Sequence, residues 1–182
     1  MFEAEITYIA ETSFAPSGTF CGEMTYDDVY FDSPDGSFYT SGRELRLRRV
    51  DGRTLLTHKA PTFDPASRSK EEWETEVESG ETLESILTHL GFRRKVAFTK
   101  RCRLYRETFR GLELTVTVVR VDFAPQEFVE IEHPAADQPS ALAALAVIRD
   151  YAAGLGLTRV SHTAYTDRCL AAQAQNMPPK GA

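Results

Sequence analysis

With 182 residues and 42% hydrophobic content, the chain is long enough for one domain of ordinary size with a folded core. Its formal charge of −6 excludes the basic surface that general nucleic-acid binding needs, and no apolar run is long enough to span a bilayer. Cys21, Cys102 and Cys169 are odd in number and lack metal spacing, and His58, His89, His133 and His162 form no ligand pattern. Together with the absence of a signal peptide, this makes a reduced cytoplasm the expected setting.

The first strand is expected over Phe2–Tyr8, where Glu3, Glu5 and Thr7 share one face because side chains two apart on a strand point the same way. Glu11–Gly22 contains a proline and two glycines, shows no helical period and reads as a loop. Tyr26–Asp32 follows as a strand with Tyr26, Asp28, Tyr30 and Asp32 on one face, ended by the turn Ser33-Pro34-Asp35-Gly36. Arg43–Lys59 then reads as a basic hairpin around Asp51-Gly52, a dipeptide that supplies the positive-φ positions of a two-residue turn. Arg46 and Arg48 share a face with Glu44, Leu45 and Leu47 take the other, and Thr57 and Lys59 alternate on the return strand. Arginine forks and a lysine aimed at one place suit a polyanion, since guanidinium grips phosphate oxygens in pairs and ammonium adds a compact charge.

Thr62–Lys70 is loop-like, and Arg68 or Lys70 there could close over a bound phosphate. Glu72, Glu74 and Glu76 alternate with Trp73, Thr75 and Val77 on an acidic strand, and Glu81–Leu90 reads as a short helix with Ile86, Leu87 and Leu90 as its apolar stripe and Gly91 as its stop. Val96–Tyr105 is a strand dense in cations. Either Lys100 points one way alone or Arg101 and Arg103 do, so Lys100 and Arg103 are both carried as phosphate-binding candidates. Leu112–Val121 is the most β-like stretch, and Glu130 and Glu132 alternate with Val129 and Ile131. Pro139–Gly154 reads as a helix with Leu142, Leu145, Ile148 and Tyr151 at core spacing, about Thr163–Gln173 as a second, and Asn176–Ala182 as a disordered tail after a single domain over residues 1–175.

Each of these strands has one apolar and one ionic face. If the sheet closes on itself, cations and carboxylates face each other across an interior too polar to be a dry core. Crowded carboxylates repel unless a cation sits among them, and Mg²⁺ or Mn²⁺ prefers carboxylate and phosphate oxygens.

Glu3-Ala4-Glu5, TYDDVYFDSPDG, GRELRLR, LLTHKAP, SKEEWETEV, FTKRCRLYR, EFVEIE and AYTD, in that order, resemble the CYTH domain from Phe2 to about Leu170. This is the family of triphosphate tunnel metalloenzymes, which includes class IV adenylate cyclases, thiamine triphosphatases and inorganic triphosphatases. The resemblance implies an α+β fold: a closed antiparallel eight-stranded β-barrel with a few flanking helices, holding a small-molecule triphosphate and a divalent metal in its lumen. It implies Tyr30 and Lys59 as a catalytic pair, Arg46, Arg48, Lys59 and Lys100 as phosphate ligands, with Arg103 as the alternative that the residues themselves leave open on the other face of its strand, and Glu3, Glu5, Glu74, Glu130 and Glu132 as metal ligands. The chain departs from the family pattern at three places. Thr7 replaces the lysine of Glu-x-Glu-x-Lys, Cys102 replaces the arginine of Lys-x-Arg, and the metal-binding aspartate expected near Thr117, Arg120 or Asp122 has no clear match. The loop in place of the usual first helix leaves one cover of the barrel reduced or supplied by a partner subunit, as in a homodimer. The implied activity is hydrolysis of tripolyphosphate, thiamine triphosphate or a nucleoside triphosphate, with cyclic AMP formation and non-catalytic binding of a phosphorylated ligand as alternatives.

Overall fold

The structure is a computed structural model and describes residues 1–10 and 14–176. Eight strands make up the sheet: β1 (Phe2–Ala10), β2 (Thr19–Asp32), β3 (Glu44–Val50), β4 (Arg53–Lys59), β5 (Lys70–Val77), β6 (Arg93–Phe109), β7 (Leu112–Val121) and β8 (Glu127–Ala135). They close in the order β1-β5-β4-β3-β2-β6-β7-β8, every neighbour antiparallel. Four helices flank them: α1 (Ser37–Thr40), α2 (Gly80–His89), α3 (Gln138–Gly154) and α4 (Tyr165–Asn176). None of the described helices is long and apolar enough to cross a membrane.

The hairpin of β3 and β4 turns as its sequence requires. Asp51 and Gly52 have φ of 48° and 76°, the mirror-image turn whose twist matches the flanking strands, and this fixes the register at Val50 opposite Arg53. Register then decides which face each side chain takes, because a slip of one residue would exchange them all.

The strict alternation places the apolar core outside the barrel wall. Ala4, Ile6, Leu114, Val116, Val129 and Ile131 face α3 and bury against its Ala141, Ala144, Leu145 and Ile148. A smaller cluster on the outer face of β2 and β3 packs Val29, Phe31, Leu45 and Leu47 against Leu87 of α2. Inside the wall, Ile9, Cys102, Val119, Val121 and Phe128 form an apolar plug, and Tyr30, Val96 and Phe98 form a second apolar patch that packs on Cys169 of α4. Ionic residues line the cavity beside them.

The seam between β1 and β5 is short, with two register pairs, Phe2 opposite Glu71 and Glu3 opposite Lys70. Beyond it β1 would have an open edge, and backbone groups without partners are costly when buried. Two devices cover the edge. The Ser69 hydroxyl accepts from Glu5 N at 3.1 Å and donates to Glu5 O at 3.2 Å, and the returning chain pairs Ile9 N with Arg159 O and Ser161 N with Thr7 O, both at 2.8 Å.

Several expected boundaries shift. The loop expected over Glu11–Gly22 gives way at Thr19 to β2, which is longer than Tyr26–Asp32 because Gly22, at φ 131°, sits at a register shift instead of ending the strand. Glu11–Ser13 lie outside the described residues. Leu142, expected in the core, is 44% exposed, since α3 turns its Ala141, Ala144 and Leu145 inward instead. On α2, Leu83 and Leu87 make the packed face, while Ile86 and Leu90 are exposed. Helix α4 starts at Tyr165 and includes Asn176, and the rest of the expected tail lies outside the described residues.

The two leucine-like positions of α3 should separate in a denaturation experiment. Ile148→Ala empties a fully buried site and should cost about 3 kcal/mol of unfolding free energy, whereas Leu142→Ala should cost less than about 1 kcal/mol.

Candidate active site

The ionic faces of the strands converge on a cavity of about 680 Å³. β3 supplies Glu44, Arg46 and Arg48, β4 supplies Lys59, β5 supplies Lys70, Glu72 and Glu74, and β6 supplies Lys100. β1 and β8 close the ring with Glu3, Glu5, Thr7, Glu130 and Glu132. Seven carboxylate side chains thus face six cationic ones, counting Arg68.

Each cation is held by a specific partner. Arg46 donates to Thr57 Oγ1 at 3.0 Å and Glu74 Oε2 at 3.4 Å, with Glu72 at 3.9 Å and Asp28 at 4.0 Å. Arg48 donates to both oxygens of Asp28, at 2.7 and 2.8 Å. Lys59 lies 2.6 Å from Glu72, 3.0 Å from Glu3 and 3.9 Å from Glu5. Lys100 donates to Glu130 at 2.8 Å and stands 4.0 Å above the Tyr165 ring. Lys70 donates to Glu44 at 2.6 Å and to Gly42 O at 2.8 Å. Burial would lower the pKa of Lys59 and Lys100, but their carboxylate neighbours outweigh it and hold both above the ordinary lysine value.

The carboxylates are not distributed evenly. One oxygen each from Glu3, Glu5 and Glu132 lies within 4.8 Å of the others, with Glu5 and Glu132 directly opposite in the β1–β8 register. Burial, with Glu5 and Glu72 adding repulsion against the pull of Lys59, pushes Glu3 up to about 7. Burial beside Glu3, Glu5 and Glu130 pushes Glu132 well above the ordinary range, while Lys59 and Arg46 pull Glu72 down to about 2 despite its burial. Three carboxylate oxygens gathered this closely are chemically suited to a hard divalent cation such as Mg²⁺ or Mn²⁺. Glu3, Glu5 and Glu132 are the residues that fit such an ion.

The structure therefore brings together Arg46, Arg48, Lys59, Lys100, Tyr30, Glu3, Glu5 and Glu132, and it revises the remaining expectations. Glu130 and Glu74 line the same cavity but lie outside the acidic cluster, because Lys100 engages the first while Arg46 and Thr57 engage the second. Arg103 is not in the cavity. It lies on the face of β6 opposite Lys100 and donates to Phe14 O and Glu127, so Lys100 points inward and Arg101 and Arg103 do not. Tyr30 and Lys59 do not form a bonded pair: Lys59 is held by glutamates, and Tyr30 stacks on Phe98 at 5.5 Å between ring centroids. Burial pushes the Tyr30 phenol above its ordinary value, with Arg46 only partly opposing, so it stays neutral at ordinary pH.

Of the departures from the family pattern, Thr7 lines the cavity and donates to Glu5 at 3.3 Å. Cys102 lies in the apolar plug, and burial pushes its thiol up to about 12. Thr117 sits opposite Glu130 in register, Arg120 donates to Glu127, and Asp122 accepts from Thr99 N. Of the loop candidates, Arg68 lines the cavity and donates to His162 O, while Lys70 is buried against Glu44. Sequence reasoning passed over Glu72, Glu44, Asp28 and Tyr165 as site residues. The period of two did place Glu72 with Glu74 and Asp28 with Tyr30, so the signal existed, but nothing in it ranked one carboxylate above another.

These shifts set the pH behaviour of the metal-free protein. A carboxyl whose folded pKa is raised favours folding while protonated and loses that contribution as pH rises from 4.5 through about 7, as for Glu3, and Glu132 acts in the same direction. Glu72 acts oppositely, stabilising above 4.5 and losing this as pH falls towards about 2. The melting temperature without metal should therefore fall between about pH 5 and pH 8, and added Mg²⁺ or Mn²⁺ should restore it at the upper end. Glu132→Gln should flatten that fall and weaken metal binding measured by calorimetry. Glu130→Gln should instead lower the melting temperature by leaving Lys100 without its partner.

Similar proteins share this architecture. The Methanocaldococcus jannaschii protein named "Putative adenylate cyclase MJ0240" is 32% identical over 81 residues, which cover 44% of this chain and 46% of that relative, so the chain matches about half of its length. The PH1819 protein of Pyrococcus horikoshii superposes with a TM-score of 0.80 at 22% identity, covering 93% of this chain and 98% of that one. HpAC1 of Hippeastrum, described as a "putative adenylyl cyclase" that "reveals a dominant" triphosphatase activity, superposes with a TM-score of 0.61 at 16% identity over 98% of both chains. At these identities the two structures speak for the fold. The CYTH domain itself matches residues 3–166, the stretch that carries the whole barrel and the start of α4, and the chain belongs to the CYTH domain family.

Proposed function

We propose that this protein is a divalent-metal-dependent hydrolase of small-molecule triphosphates. The observation that carries the reading is one cavity lined both by cations, Arg46, Arg48 and Lys100 on β3 and β6, and by the carboxylate cluster of Glu3, Glu5 and Glu132 on β1 and β8. Phosphate oxygens suit the first and a hard metal ion the second. With seven carboxylates against six cations, the lumen alone does not offset the roughly four negative charges of a triphosphate near neutral pH, which makes a bound cation part of the requirement.

In the reaction, Arg46, Arg48 and Lys100 would bind the phosphate chain and fix the reacting phosphorus in line with an attacking water. A divalent ion held by Glu3, Glu5 and Glu132 would supply charge neutralisation on the phosphate oxygens. Water forms the new P–O bond, the bridging P–O bond breaks, the leaving oxygen takes the electron pair, and the proton lost by the attacking water passes to a phosphate oxygen of the products or to bulk water. Lys59, held protonated by its glutamates, would act as a fixed positive charge and not as a base. A neutral Tyr30 could donate a hydrogen bond to a phosphate oxygen but could not accept the water's proton.

A second reading, cyclisation of ATP by attack of a ribose hydroxyl, is favoured by the name of the Methanocaldococcus jannaschii relative. The two are separated by incubating the purified protein with tripolyphosphate, thiamine triphosphate or ATP and Mg²⁺ or Mn²⁺. Hydrolysis releases orthophosphate, whereas cyclisation releases pyrophosphate and cyclic AMP from ATP alone. No turnover of any of the three in either metal would leave a binding module and overturn the enzyme reading.

Thr7 offers a sharper check, because it shares the lumen face with Glu3 and Glu5. Thr7→Lys adds an ammonium at a site about 7 Å along the strand from Glu5, within reach of a shared phosphate. It should raise triphosphate turnover or lower KM, since a cation that binds the transferring group more strongly in the transition state lowers the barrier. A variant no faster than wild type on any triphosphate, with metal bound in both, would point to a lumen rebuilt for another ligand.

A further inference from the structure

Asp28 is 1% exposed, and among the described residues both of its side-chain hydrogen bonds are to an arginine that lines the cavity. It sits directly opposite Arg48 in the β2–β3 register, and its two oxygens accept from Arg48 Nε at 2.7 Å and Nη2 at 2.8 Å. Its Oδ2 also lies 4.0 Å from Arg46 Nη1. The Tyr26 ring covers the Arg48 guanidinium at 4.0 Å from ring centroid to the central carbon. One edge of Arg48 is thus fixed by Asp28 and one face by Tyr26. Its Nη1 makes no hydrogen bond to the protein among the described residues.

Two arginines at positions i and i+2 on one strand face repel, more so where water is scarce. A carboxylate between them offsets that repulsion, and a paired fork fixes direction as well as charge, which a single-point contact does not. We propose that Asp28 is a positioning residue for phosphate recognition: acting through Arg48, it holds the guanidinium with its free Nη1 turned to the phosphate chain. The proposal rests on the triphosphate reading given above. Without Asp28, Arg46 would keep Thr57 and Glu74, but Arg48 would lose its only hydrogen-bond partner among the described residues and be pushed by the charge of Arg46.

The test is a double-mutant cycle on the full chain, with tripolyphosphate binding in Mg²⁺ measured by calorimetry for wild type, Asp28→Asn, Arg48→Met and the double variant. Melting temperature is recorded alongside. Asp28→Asn, nearly isosteric, should weaken binding about tenfold, and in the Arg48→Met background it should change binding by less than about twofold. Equal losses in both backgrounds would overturn the proposal. So would a lower melting temperature with unchanged affinity, which is what a purely structural carboxylate gives, or a gain in affinity, which would make Asp28 a competitor of the phosphate. If Asp28→Asn does not fold, Asp28→Glu keeps the charge but displaces it by one methylene and takes its place in the cycle, with the same two criteria. Wild type that binds no tripolyphosphate removes the triphosphate reading and this proposal together, whereas wild-type binding with an additive cycle removes the proposal alone.

Discussion

The structure depends on charge compensation inside a closed wall. Arg46, Arg48, Lys59 and Lys100 are all largely removed from water, and each stands within 4.0 Å of at least one carboxylate. Buried pairs of this kind add little net stability, because desolvation offsets most of the attraction, but removing one partner costs about 3–5 kcal/mol. The network is therefore a constraint more than a source of stability: every member must be present for the others to remain charged and oriented. Glu132 is the exception, with no cation within 4.0 Å among the described residues and with Glu3 and Glu5 close by. That local excess of carboxylate is where an external cation gains most.

What allows an interior to be this polar is that the apolar work is done elsewhere. The largest core lies between the outer wall and α3, and a second lies under α2, so the barrel is held from outside. The ion pairs join neighbouring or next-but-one strands of the wall, β3 to β2 and β5, β4 to β5 and β1, and β6 to β8, so charge is compensated around the lumen while a cavity of about 680 Å³ is kept inside it. The apolar plug around Phe128 and Val119 shuts one end, and Cys102 belongs to it. The cysteine thus trades a cation that the family pattern places in the lumen for closure of its floor.

Because its cations are already paired, this lumen does not offer a ligand free positive charge. Phosphate oxygens entering it would share or displace Glu74 at Arg46 and Glu130 at Lys100, so affinity is a difference between two sets of ion pairs. Arg48 differs in being held along one edge only, by a carboxylate that faces away from solvent. On the proposed triphosphate reading, such an arrangement would favour a ligand that brings several oxygens and a metal together over a lone anion.

The period-two alternation of charge and apolar side chains, with Asp51-Gly52 between two such runs, marked from sequence alone the strands and the ionic faces that carry Glu3 and Glu5, Arg46 and Arg48, and Lys59, while the closed barrel that turns those faces into a lumen was implied by the resemblance to the CYTH domain. Alternation is a property of each strand by itself, so it survives without tertiary information. It could not choose between the two faces of β6, where cations stand on both, and closure of the barrel settled that by turning Lys100 in and Arg103 out towards Glu127. Nor could it say which carboxylates would gather, since that depends on which strands become neighbours: β1 and β8, distant in sequence, bring Glu5 opposite Glu132, while β6 brings Lys100 to Glu130 and β3 brings Arg46 to Glu74. Strand identity is thus local and readable, whereas charge partnership is a product of strand order and shear, which only the closed tertiary structure specifies.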